Sequence, residues 1–69
     1  MHYTDAIKIA KLGANILIGK ESKIHYTDAI KIVEKVVEKG GLITIEKEYH
    51  HTDIEKMVKI AGNRITIAI

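Results

Sequence analysis

Apolar residues recur along this chain with two alternating periods. Over residues 28–39, Ala29, Ile30, Ile32, Val33, Val36 and Val37 fill one arc at 100° per residue, while Lys31, Glu34, Lys35, Glu38 and Lys39 fill the other. A buried stripe facing a solvated one predicts an amphipathic helix. The same pattern, shorter, predicts helices near 5–12 and 53–61. Between and after them lie Ile-rich segments with period two. Ile16 and Ile18, Ile43 and Ile45, and Ile65, Ile67 and Ile69 project to one side. Asn15, Leu17 and Gly19, Leu42, Thr44 and Glu46, and Arg64, Thr66 and Ala68 project to the other. One strand face is thus branched aliphatic and the other half polar, which predicts a sheet covered by helices on one side only.

The alternation comes from self-similarity. His2-Tyr3-Thr4-Asp5-Ala6-Ile7-Lys8-Ile9 recurs unchanged as His25-Tyr26-Thr27-Asp28-Ala29-Ile30-Lys31-Ile32, and a degenerate third copy starts at His51-Thr52-Asp53-Ile54. Each copy runs through an apolar-periodic stretch to a glycine (Gly13, then Gly40 and Gly41, then Gly62) and on to an Ile-rich segment. A unit of this length suits one helix plus one strand. The chain is therefore expected to be one domain, 1–69, of three αβ repeats, approximately 1–23, 24–49 and 50–69.

Thr4, Thr27 and Thr52 are the expected helix N-caps, each followed by an aspartate at the positive end of the helix dipole. In the third copy Glu55 stands three residues after Thr52, as a capping box requires. The glycines are placed to end the helices, with Leu12 and Ile60 where C-cap hydrophobic contacts occur. Helix–strand alternation with short connections predicts right-handed crossovers and parallel strands. The expected fold is α/β: three tandem helix–strand repeats and a three-stranded parallel sheet of order 1-2-3, with helices on one face, solenoid-like. Order 2-1-3 would demand apolar residues on both strand faces, against Thr44, Glu46, Arg64 and Thr66.

The shoulders of the helices differ at the two ends. Ile7 and Ile30 share a position that Glu55 takes in the third copy, whereas Ile9, Ile32 and Met57 stay apolar throughout. A terminal repeat should be polar on its free side. Glu55 fits that role, and the Ile9 side is left unfinished.

Composition narrows the function. A chain of 69 residues has a small core, burying about 60% of its unfolded surface. With no Cys it has neither disulfides nor thiolate metal sites, and with no Pro and 46% apolar residues it is not disordered. No apolar run is long enough to span a membrane and no signal segment is evident, so a cytoplasmic location is expected. Eleven basic residues against nine acidic ones give no strong polyanion-binding field.

The histidines are the main candidate chemistry. His2, His25 and His51 precede equivalent helix starts, His50 adds a fourth, and Tyr3, Tyr26 and Tyr49 lie beside them. In a parallel sheet these fall beyond the carboxyl ends of the strands, where ligands generally bind. His25, Tyr26, Tyr49, His50 and His51 are therefore the candidate binding residues. No His-x-x-x-His pair exists, and no metal or other cofactor is assigned. Gly19-Lys20-Glu21-Ser22 lacks the spacing of a phosphate loop. Ser22 is the single serine and no catalytic constellation is present, so no enzyme activity is expected.

The expected function is a non-enzymatic structural or protein-interaction repeat module that self-associates as a homodimer and binds no membrane. The alternatives are a metal-binding module using His2, His25, His50 and His51, or a weak nucleic-acid binder through lysine-rich helix faces. The second is disfavoured because Glu34, Glu38 and Glu55 interleave with the lysines.

Overall fold

The computed structural model describes all residues, Met1–Ile69. Its elements are α1 (Tyr3–Lys11), β1 (Ile16–Ile18), α2 (Tyr26–Glu38), β2 (Ile43–Ile45), α3 (His51–Ala61), a 3-10 turn (Gly62–Arg64) and β3 (Ile65–Ile67). The three strands form one sheet of order β1-β2-β3, parallel throughout. Leu17 stands beside Thr44 and Thr44 beside Thr66, so the isoleucines at the flanking positions share one face. The chain is thus a mixed α/β fold of three helices alternating with a three-stranded parallel sheet. None of the helices is long and apolar enough to cross a membrane.

Burial follows the alternation read from the strands. Ile18, Ile43 and Ile45 are buried with Ala29, Ile32, Val33 and Val36 of α2, Met57 and Ala61 of α3, and Ala6 and Ala10 of α1. No polar or charged residue is among the buried ones. On the opposite sheet face Leu17 and Thr66 are exposed and Thr44 is half-buried. The shortest dimension, 17 Å, fits one helical layer, about 10 Å across, on one sheet. The central unit supplies most of the large core side chains, because it alone is flanked on both sides.

The turn between α2 and β2 is closed from three directions. Gly41 N–H donates to Val36 O and Gly40 N–H to Val37 O, the paired bonds of a Schellman ending. That ending places Gly40 at φ +78°, a left-handed conformation that costs an L-residue about 1–2 kcal/mol. At Gly41 the constraint is space: a Cβ there would lie 3.0 Å from Ala14 O and 3.1 Å from a Val36 methyl. Asn15 Oδ1 accepts from Leu42 N–H at 2.8 Å, and Arg64 donates to Gly40 O at 2.8 Å. The residues leading into β1 and β3 therefore grip the turn leading into β2.

Three details differ from expectation. The helices begin about two residues early, at Tyr3, Tyr26 and His51, because the cap is not the threonine. Leu12 makes no C-cap contact and is 87% exposed. Ile69 lies beyond β3 and is fully exposed, so it adds nothing to the isoleucine face.

Gly40→Ala is expected to lower unfolding free energy by about 1–2 kcal/mol, read as a reduced urea midpoint at unchanged slope. An unmoved midpoint would show that the α2–β2 turn is not held as described.

Candidate functional site

Each helix start is built from a histidine, a variable residue and a threonine. His2, His25 and His50 have extended backbones, with ψ of 148°, 151° and 145°, and are the N-caps of α1, α2 and α3. The Nδ1 of each accepts the backbone N–H of the threonine two residues on, at 3.3, 3.4 and 3.3 Å. The threonine hydroxyl lies 2.8–2.9 Å from the same nitrogen. One imidazole nitrogen thus meets both a backbone N–H and a hydroxyl.

This arrangement corrects the expected threonine caps. Thr4, Thr27 and Thr52 sit inside the first turn and help hold the histidine. The capping box is absent as well: Thr52 N–H bonds His50, and Glu55 accepts from His51 Nδ1 at 3.0 Å. That bond, with the charge of the histidines and Lys59, holds the Glu55 carboxyl below its ordinary range. It also corrects the alignment of the third copy. The constant pattern is His-x-Thr-Asp, so His50 is the counterpart of His2 and His25, and His51 that of Tyr3 and Tyr26. Ring packing repeats accordingly: His2 with Tyr3, His25 with Tyr26 and His50 with His51, with centroids 4.6–5.1 Å apart.

Tyr49 does something else. It precedes the His50 cap and donates its hydroxyl to Ile24 O at 2.7 Å, joining the approach to α3 to the approach to α2. Burial, then the nearby Asp28 carboxylate, pushes its phenol from 10 up to about 12. The candidates His25, Tyr26, Tyr49, His50 and His51 do lie at one end of the sheet. His25 and His50 nevertheless serve different helices, and Tyr49 spends its hydroxyl on the backbone. No three His, Asp or Glu side chains come close enough together to hold a metal ion.

The larger concavity runs beside that end, along the outer flank of α1 and β1. It encloses about 740 Å³ and is lined by Ile9, Ile16, Ile18, Ile24, His25 and Asp28, among others. Ile9 is half-buried there, while its counterparts Ile32 and Met57 are fully buried. A second groove, between α1 and α2, is polar: Lys8, Lys11, Lys31 and Lys35 share it with Glu34 and Glu38. Comparison with protein-family models, curated proteins and solved structures gives no match.

Removing one cap acceptor is expected to cost about 1 kcal/mol in His25→Ala, with most of it recovered in His25→Asn, an established cap residue. Equal loss in both variants by urea titration would contradict the cap assignment. For Tyr49, the folded state favours the neutral phenol. Its contribution is complete below pH 10 and is lost as pH rises from 10 through about 12. Tyr49→Phe should flatten the alkaline stability profile over that window; an unchanged profile would contradict the burial of the phenol beside Asp28.

Proposed function

We propose that this chain is a non-enzymatic structural or protein-interaction module of three tandem, solenoid-like αβ units, and that it self-associates. The observation that carries the reading is apolar surface left uncovered in so small a domain. Leu12 is 87% exposed, Leu17 57% and Leu42 52%. Two of these stand on the open face of the sheet and the third on the outer side of α1. Exposed apolar area rimmed by lysine and glutamate is the usual mark of a protein interface.

The polar groups support the same reading. The histidine nitrogens nearest the backbone are spent on helix caps, and no buried polar side chain lacks a partner. A reactive site needs groups held ready for a substrate, and here the polar groups are engaged in holding the fold. The metal-binding alternative weakens for the same reason, since each cap histidine is oriented by its own threonine. The mixed charge of the α1–α2 groove likewise gives nucleic acid no continuous basic track.

Light scattering after gel filtration at tens of micromolar should return a mass about twice the 7.7 kDa of one chain. A monodisperse monomer over the same range would contradict self-association.

A further inference from the structure

The stacking of the three units defines what each helix offers to the unit before it. At 100° per residue, Asp5, Ile9 and Leu12 form one stripe of α1 (spaced i, i+4, i+7), and Ile9 lines the outer groove. The equivalent stripes are Asp28, Ile32 and Lys35 on α2 and Asp53, Met57 and Ile60 on α3. In both of those the middle residue is completely buried. On α1 no element of the chain covers the stripe. Below it, β1 has a free edge. Ile16 N–H and Ile18 O already bond β2, so the N–H and C=O of Leu17 point outward.

Two kinds of surface on a second copy are available to this flank. The far side of α3 carries the hydrogen-bonded His51 and Glu55 where α1 and α2 carry Tyr3 and Ile7, Tyr26 and Ile30. Head-to-tail stacking would set an imidazole and a carboxylate against the Ile9 stripe, where the two internal junctions have an aromatic ring and an isoleucine. The α1 flank itself is the better match. Turned about a two-fold axis normal to the sheet, it sets α1 antiparallel to its copy. The two helix dipoles then oppose, the N-terminal end of one α1 lying beside the C-terminal end of the other.

Resting on the self-association proposed above, we propose that the partner is a second copy of this chain, docked through this flank about a two-fold axis. Leu17 pairs with Leu17 of the other copy by two backbone hydrogen bonds. The result is one six-stranded sheet of order 3-2-1-1-2-3 with all six helices on one face. Both copies bury Ile9 and Leu12, and both free β1 edges disappear. Glu55 stops growth at the other end, so assembly closes at two.

The test uses the whole chain. Leu12→Glu alters a side chain the fold does not bury, so helical circular dichroism should be unchanged while dimer affinity by sedimentation falls about tenfold or more. Leu17→Cys is the independent variant: the chain has no other cysteine. Directly paired antiparallel residues have Cα atoms about 5.5 Å apart, within disulfide reach. Mild oxidation should convert Leu17→Cys to a covalent dimer and leave Thr66→Cys, on the β3 side, largely uncrosslinked. A wild-type dimer indifferent to Leu12→Glu, or one in which Leu17→Cys does not crosslink, overturns this interface and leaves self-association standing. Concentration-dependent growth beyond the dimer overturns the closed assembly. A wild-type monomer overturns both proposals.

Discussion

The structure depends on one contact layer, the isoleucine face of a very short parallel sheet lying beneath α2. Three-residue strands offer few ladder bonds, and parallel pairing is slightly weaker per residue than antiparallel. Their cohesion therefore comes from Ile43 and Ile45, each 1% exposed, packed with Ile32, Val33 and Val36. These branched side chains suit a pleated surface and lose little freedom on burial. The outer units lean on the central one. Asn15 and Arg64 reach it through hydrogen bonds to Leu42 and Gly40, and Tyr49 ties the approaches to α3 and α2 together.

Economy at the helix starts follows from that geometry. A helix only nine to thirteen residues long has a large share of its N–H groups at the unsatisfied end. Here a single imidazole nitrogen meets a backbone N–H and a hydroxyl, and the ring packs on the next side chain. One nitrogen of each of His2, His25 and His50 is thereby engaged in structure. The surface is uneven: His51 and Glu55 stand beside exposed Val58 on α3, Leu12 is bare on α1, and Leu17 and Leu42 are bare on the uncovered sheet face.

Much of this was legible in the residues themselves. The alternation of helix and strand patterns gave the parallel sheet, and the isoleucine alternation gave its buried face. The caps were misread because Thr-Asp is itself a common helix start, whereas histidine is not an ordinary cap. Only the position of Nδ1 decides between them, although aligning the third copy on His50 would have exposed the constant His-x-Thr spacing. The bonds of Asn15, Arg64 and Tyr49 join residues 24 to 27 apart, and no local pattern signals them. The volume of the groove beside Ile9 depends on the path of residues 19–25, which periodicity does not specify.

The central claim is that β2 lies between two parallel neighbours with its isoleucines under α2. Nuclear Overhauser contacts in solution address it most directly. Thr44 should show backbone contacts of the parallel pattern to both Leu17 and Thr66, and the Ile43 and Ile45 methyl groups should contact Ile32 and Val36. An antiparallel pattern at Thr44, or isoleucine methyls that touch no helix, would contradict the account.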